Sequence, residues 1–196
     1  MPQSRVTAPA SASVDCQRRT VLRGAAGLVL AWLTPIRASA QVPQGPAPAP
    51  GDLLVRVEDE NLIPIAPDDV PFDARGMMLW AITPKGDVVK NDPMHRIFIA
   101  RLNPATLSAA TRELAADDLV AFSAICTHNG CEVDAGLGES QTIFCSCHSS
   151  TFDPRGSGVV IGGPAPRALP QLPIKIRDGR IEVAGGFTAQ PGYGLL

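Results

Sequence analysis

The chain has 196 residues, of which 45% are apolar, enough to build the core of one globular domain. Gly (18) and Pro (19) are abundant and aromatic residues make up only 5%, which favours turns and short strands over long helices. Of the 17 basic and 19 acidic residues, five Arg and one Asp fall in residues 1–40, so the remainder holds 12 basic and 18 acidic residues. This acidic remainder argues against nucleic acid as a partner and is compatible with a basic protein partner.

Residues 1–40 have the pattern of an export signal. A basic stretch with Arg18 and Arg19 precedes the uncharged run 24–36, and small residues follow up to Ala40. The Arg pair resembles a twin-arginine signal, a route that carries folded cargo. The uncharged run is shorter than the roughly 17–25 residues that span a bilayer. We therefore expect cleavage after Ala40 and a periplasmic protein, with an uncleaved anchor in the inner membrane as the alternative.

One folded domain is expected beyond the signal. The Pro-rich residues 41–51 predict a semi-extended linker. Residues 52–187 are predicted to form the domain, and residues 188–196 a tail. Runs of β-branched and apolar residues predict strands over 53–57, 77–82, 97–102, 119–125 and 142–144.

The remaining periodic segments are one helix and one hairpin. The helical pattern runs from Leu107 to Ala116, and its apolar face holds Leu107, Ala110 and Leu114. Residues 174–183 alternate around a central Asp-Gly pair, which favours a two-residue hairpin turn. Trp80, at a strand position, is expected in the core. Together the elements predict a small antiparallel all-β domain with a two-loop site inserted at one end.

Two short motifs concentrate the sulfur and imidazole side chains. Residues 126–131 read Cys-Thr-His-Asn-Gly-Cys and residues 145–148 read Cys-Ser-Cys-His, so four of the five Cys and two of the three His fall here. Thiolates and imidazoles are typical transition-metal ligands. Two of each suit tetrahedral zinc, or a binuclear iron–sulfur cluster with Cys on one iron and His on the other. The alternating ligand order and the two extra Cys argue against zinc.

These motifs, with Gly-Pro-Ala-Pro at residues 163–166, resemble those of Rieske 2Fe–2S proteins of the high-potential type. Such proteins occur in quinol:cytochrome c reductases and as the small subunit of arsenite oxidase. The resemblance covers residues 119–185. It implies a Rieske-type antiparallel β-sandwich with an inserted two-loop cluster-binding subdomain and one short helix.

The resemblance also implies the ligands of one 2Fe–2S cluster. Cys126 and Cys145 would hold one iron, and His128 and His148 would hold the other. Because neutral imidazoles replace two thiolates, such a cluster accepts an electron more easily than an all-Cys cluster does.

The surroundings of the cluster follow from the same resemblance. A disulfide between Cys131 and Cys147 would join the two cluster-binding loops. Gly163 and Pro164 belong to a third loop that would cover the cluster. No nucleophile–base arrangement and no phosphate-binding loop appears in the sequence, so no catalytic site is predicted.

Four positions bear on the redox potential and on the partner. Ser150 falls where the family places a Ser that hydrogen-bonds a bridging sulfide, which stabilises the reduced form. Phe152 stands where respiratory members carry a Tyr, and it cannot donate a hydrogen bond. We therefore expect a potential below that of the respiratory centres. Asn129 replaces the Leu of quinol-oxidising members, and Ser149 replaces their Gly, which weakens the case for apolar docking.

The expected function is that of an exported one-electron carrier. Its partners would be a catalytic redox subunit, such as a molybdenum enzyme, and a c-type cytochrome. The first alternative is the iron–sulfur subunit of a membrane quinol:cytochrome c reductase, with cytochromes b and c1 as partners. A Rieske ferredoxin of an oxygenase and a non-redox zinc module are the other two alternatives. The export signal and the extra cysteines speak against the ferredoxin.

Overall fold

A computed structural model describes residues 47–72, 76–88, 92–137 and 140–194. The predicted export signal, 1–40, and the first residues of the predicted linker lie outside the described residues. In chain order the strands are β1 Leu53–Arg56, β2 Met77–Ile82, β3 Ile97–Arg101, β4 Leu119–Ser123, β5 Ile143–Cys145, β6 Ser150–Asp153, β7 Val159–Gly162, β8 Gln171–Leu172, β9 Ile174–Arg177 and β10 Arg180–Val183. Among the described residues, one α-helix, α1, spans Ala109–Glu113. Within the described residues, no helix is long and apolar enough to cross a bilayer.

The strands form two antiparallel sheets. The larger has seven strands in the order β8-β4-β3-β2-β1-β10-β9, and the smaller has the order β5-β6-β7. Strands β8 and β9 lie at opposite edges of the larger sheet, although only Pro173 separates them in sequence. The large sheet must therefore curl until its edges nearly meet. This architecture confirms the predicted all-β fold with one short helix.

The two faces of the large sheet bury two groups of apolar side chains, because successive residues of a strand point to opposite sides. One face fills the inside of the curled sheet with Leu54, Leu79, Ile97, Ile99, Leu119, Ile174 and Ile181. The other face, with Phe98, Val120 and Phe122, packs against Ile143 and Phe152 of the small sheet. This packing holds the small sheet beside β4, so the loops of both meet at one end.

The hairpin and the helix differ in how well they were predicted. Strands β9 and β10 pair in register around Asp178 and Gly179, both at positive φ, as the Asp-Gly pair predicts.

Helix α1 is shorter than predicted, and its predicted apolar face is confirmed only in part, because Leu107 is buried but precedes the helix and Leu114 is partly buried. Its buried residue is Thr111, whereas Ala110 is exposed. The Thr111 hydroxyl lies within hydrogen-bonding distance of Arg155 and Ser157, so polar contacts rather than apolar periodicity orient the helix.

Contacts extend the domain beyond the predicted bounds 52–187 at both ends. Pro48, in the predicted linker, is buried, and Gly51 donates its N–H to the carbonyl of Val183 at 3.0 Å. In the predicted tail, Thr188 donates its N–H to Gln171 at 2.9 Å. The described ends of both segments are therefore part of the folded domain.

Candidate metal centre

The first cysteine–histidine motif forms a tight loop at the end of β4. Ile125 pairs with Glu132 in an isolated antiparallel bridge, and the N–H of Cys126 donates to the carbonyl of Cys131 at 2.7 Å. Gly130 closes the loop with a bond from its N–H to the Cys126 carbonyl at 3.0 Å, at a φ of +77°. The loop thus leaves β4 and returns on itself within six residues, presenting its side chains at one end of the sheet.

The second motif connects β5 to β6. Cys145 is opposite Ser150 in the register of these strands, so residues 146–149 form the connection between them. Ser149 adopts a φ of +60°, in the left-handed region that a glycine occupies without steric cost. The backbone thus keeps a glycine-like conformation at the position where Ser replaces the expected Gly.

A disulfide joins the two loops. It links Cys131 to Cys147, with a Cα–Cα distance of 6.6 Å, and this is the pairing that the family resemblance implies. Asp134 adds two further links, because its N–H donates to the Phe144 carbonyl at 2.7 Å and its carboxylate accepts from the Ser146 hydroxyl at 2.9 Å. The loops therefore form one cross-linked unit.

The Gly-Pro-Ala-Pro segment and the residue that follows it, Arg167, form a third loop that contacts both cysteine–histidine loops. Gly163 has a φ of +79°, and a Cβ there would lie 2.7 Å from the backbone nitrogen of Ser150 and closer still to the carbonyl oxygen of Ser149. Only a residue without a side chain allows this approach. On the other loop, the Thr127 hydroxyl donates to the carbonyl of Arg167 at 2.7 Å. The third loop is thereby fixed to the first and second.

The predicted ligand side chains lie in two pairs, one of cysteines and one of histidines. Cys126 and Cys145 are both free thiols and are only 1% exposed. Burial raises the pKa of the Cys145 thiol, and the neighbouring Cys126 raises it further, although backbone N–H groups of Cys147 and His148 lower it. The rings of His128 and His148 meet edge to face, with centroids 4.7 Å apart. His148 is exposed, and His128 is partly exposed.

The donor set fits a 2Fe–2S cluster of the mixed-ligand type. Although the sulfur atoms of Cys131, Cys145 and Cys147 lie within 4.8 Å of one another, the disulfide removes two of them as ligands. Two buried polar atoms here, Nδ1 of His128 and Oγ of Ser150, have no hydrogen-bond partner in the described part of the chain. Buried polar groups normally have partners, so an unpartnered imidazole nitrogen and hydroxyl at this place are explained by a bound group.

Strand register places Phe152 on the same face as this site. Ser150 and Phe152 alternate on β6, opposite Cys145 and Ile143 of β5, and all four residues are buried. Phe152 is therefore a diagonal neighbour of Cys145 across the strand pair, a spacing that long aromatic side chains can bridge.

Several residues around the loops were not predicted from the sequence. Arg96 forms an ion pair with Glu132, next to the disulfide, and its guanidinium lies 4.7 Å from the ring centroid of Trp80. Tyr193 packs on Gly130, where a Cβ would lie 2.8 Å from its ring. No local pattern joins residues so far apart in sequence. The one local indication in the sequence is that the acidic residue Glu132 directly follows Cys131 of the first motif. Trp80 is buried, as predicted.

Comparison with known proteins identifies the family. The family model described as the Rieske [2Fe-2S] domain matches residues 80–173. The cytochrome bc1 complex Rieske iron-sulfur subunit of Streptomyces lividans is 35% identical over 150 residues, which cover 72% of this chain and 85% of the relative. A putative respiratory nitrate reductase Rieske subunit of Haloferax mediterranei is 36% identical over 99 residues, covering 50% of this chain and 44% of the relative.

Two other matches cover a smaller share of the relative's length or superpose less closely on this structure. The chain spans 41% of the corresponding bc1 subunit of Streptomyces coelicolor, at 35% identity over 150 residues. The crystal structure of the plasma membrane Rieske protein of Synechocystis PCC 6803 is 25% identical, with a TM-score of 0.36, and the match covers 54% of this chain and 84% of that chain. Because the Streptomyces lividans relative is matched over most of its length and the family model spans both cysteine–histidine motifs, the chain belongs to the Rieske [2Fe-2S] family.

Proposed function

We propose that Cys126 and Cys145 bind one iron of a 2Fe–2S cluster and that His128 and His148 bind the other. The observation that carries this assignment is the pairing of the two ligand histidines, whose rings lie 4.7 Å apart with Nδ1 of His128 unpartnered in the described residues, in loops that also hold two buried free thiols. The 2Fe–2S cluster of a Rieske protein supplies one-electron transfer, at about −150 to +300 mV.

The chain's own residues would prepare this site for electron transfer. The disulfide and the third loop fix the two ligand loops, so that little rearrangement accompanies a change of charge. Ser150, buried and without a partner in the described residues, is placed to donate its hydroxyl to a sulfide. His148 is exposed, which gives an electron acceptor a short approach to one ligand ring.

Purified, iron-loaded protein is expected to give an electron paramagnetic resonance signal at low temperature after reduction with dithionite. Cys126→Ser and His148→Ala should lose the signal together with bound iron. Asn129→Ala is the control, because Asn129 is exposed in the first loop, beside His128, and is not a proposed ligand. A silent wild-type sample, or a His148→Ala variant with an unchanged signal, contradicts the ligand assignment.

The Phe152→Tyr variant is expected to raise the midpoint potential. A tyrosine hydroxyl directed at the Cys145 sulfur would stabilise the additional negative charge of the reduced form. If the hydroxyl stabilises the reduced form by about 1.4 kcal/mol more than the oxidised form, the midpoint potential rises by about 59 mV for one electron. A redox titration followed by circular dichroism measures the shift. Phe152→Leu, which adds no donor, is the control, and an unchanged or lower potential in the Tyr variant would count against the role of this position.

We also propose a role in the cell. The chain would be the exported electron-transfer subunit of a periplasmic oxidoreductase and would pass electrons to a c-type cytochrome or similar acceptor. The signal pattern in residues 1–40 and the polar Asn129 at the exposed tip of the first loop support this assignment. A catalytic partner subunit, such as a molybdenum enzyme, would supply the electrons.

The second candidate is the iron–sulfur subunit of a quinol:cytochrome c reductase. It is favoured by the names of relatives such as the Streptomyces lividans bc1 subunit. The two candidates differ in the fate of residues 1–40 and in the partner. A mature protein that begins at Gln41 and co-purifies with a catalytic subunit supports the first. A membrane-bound protein that retains residues 1–40 and co-purifies with cytochrome b supports the second.

A further inference from the structure

A charged pair lies beside the first loop. Glu132 follows Cys131, and its side chain forms an ion pair with Arg96. Its backbone carbonyl oxygen lies 4.0 Å from the Sγ of Cys145. The Glu132 carboxylate is therefore within about 10 Å of a proposed ligand sulfur, one Debye length at 0.1 M salt.

Arg96 is held in place independently of Glu132. Its carbonyl accepts from the N–H of Ala124 at 2.8 Å, which fixes its backbone beside the first loop. Its guanidinium stacks on the Trp80 ring at 4.7 Å, and Trp80 packs with Val55 and Ile82. The arginine side chain is 25% exposed and that of Glu132 is 42% exposed, so solvent screens the pair only in part.

We infer that Arg96 and Glu132 form a positioning and charge-compensating pair that sets the redox potential of the centre. This inference rests on the proposed ligand assignment. Reduction adds one negative charge between the loops, and an unpaired carboxylate nearby would oppose that charge and lower the potential. Arg96 offsets the carboxylate. By holding Glu132, Arg96 also holds the end of the first loop, where the Glu132 carbonyl oxygen lies 4.0 Å from the Cys145 sulfur.

The same fold offers a matched control pair. Arg96 directly precedes β3, and Arg101 is the last residue of that strand. Arg101 pairs with Asp118 at 3.2 Å, with side chains that are 18% and 24% exposed. Because Arg101 is opposite Leu119 whereas Ile97 is opposite Ser123, this second pair lies four residues, about 13 Å, further along the strands from the site.

Redox titrations of the iron-loaded full chain test the inference. Glu132→Gln is expected to raise the midpoint potential and Arg96→Gln to lower it, while Arg96→Lys keeps a value near that of the wild type. The double variant Arg96→Gln/Glu132→Gln should return close to the wild-type potential. The shift in Glu132→Gln should be at least about threefold larger than that in Asp118→Asn, because Coulomb interactions weaken with distance and with screening.

Iron content and the paramagnetic resonance line shape show which variants hold an intact centre. If Arg96→Gln loses its iron, Glu132→Gln and Arg96→Lys still decide the question. An unchanged or lower potential in Glu132→Gln overturns the inference, as does an equal shift in Asp118→Asn, which would indicate an effect of overall charge. A wild-type protein without a cluster signal would instead refute the ligand assignment, so the two failures are distinguishable.

Discussion

Replacing Cys131 and Cys147 together by Ser is expected to lower the free energy of unfolding by about 3 kcal/mol and to abolish iron retention. The cross-link spans 16 residues, and closing a loop of that size restricts the unfolded chain by about this amount in the chain-entropy model. The loss of iron has a separate cause. The two ligand loops are irregular, and the disulfide is the covalent link between them.

Urea unfolding followed by circular dichroism, with iron content measured in parallel, checks both effects. Ser146→Ala is the matched control, because it removes one hydrogen bond between the same loops, that to Asp134 at 2.9 Å. This control should lose about 1 kcal/mol at most and keep its iron. Equal iron contents in the wild type and the double Ser variant would show that the other contacts between the loops suffice.

The part of the fold that could be predicted is the part where local chemistry decides structure. Apolar runs placed β2, β3 and β4 correctly because these strands are buried on both sides or nearly so. The Asp-Gly pair placed the β9–β10 hairpin because few dipeptides adopt the two positive φ values of that turn. The resemblance also implied the joining of Cys131 to Cys147, which spacing alone leaves open.

Strands β6 and β7 were not predicted, and their sequences explain why. Strand β6 reads Ser-Thr-Phe-Asp. Its first residue, Ser150, is polar but buried, because it lies opposite Cys145 in the strand pair. Strand β7 exposes Val159 and Ile161, contrary to the usual placement of such residues. The burial of Thr111 in the helix was missed in a similar way, because hydrogen bonds rather than apolar contacts bury it. Periodicity reports apolar burial and does not detect polar burial.

The site was predicted as a set of motifs but not as an electrostatic environment. The ligand candidates lie within short segments, whereas Arg96 and Glu132 are 36 residues apart. The role of Gly163 depends on backbone atoms of another loop, which no side-chain pattern encodes. These long-range contacts decide how closely the loops approach one another, so a substitution at Gly163 should have a large effect on the site.

Gly163→Ala is expected to destabilise the protein by about 3 kcal/mol and to release the cluster. A left-handed φ of +79° costs an alanine about 1 kcal/mol. The overlap of its Cβ with the backbone of Ser149 and Ser150 adds about 2 kcal/mol, because backbone atoms cannot move aside as a flexible side chain can. Relief requires the third loop to move away from the second, which carries Cys145 and His148, so the damage falls on the ligand loops.

Gly179→Ala separates these two causes. Gly179 has a φ of +70°, and nothing lies within 4 Å of the position of its Cβ, so the variant incurs backbone strain without overlap. It should lose about 1 kcal/mol of stability and keep its full iron content and midpoint potential. Thermal unfolding and iron analysis of both variants give the comparison. If Gly163→Ala behaves like Gly179→Ala in both measurements, close packing of the third loop on the second does not hold the centre. If only Gly163→Ala loses iron, the backbone contact between the two loops is what keeps the ligands in place.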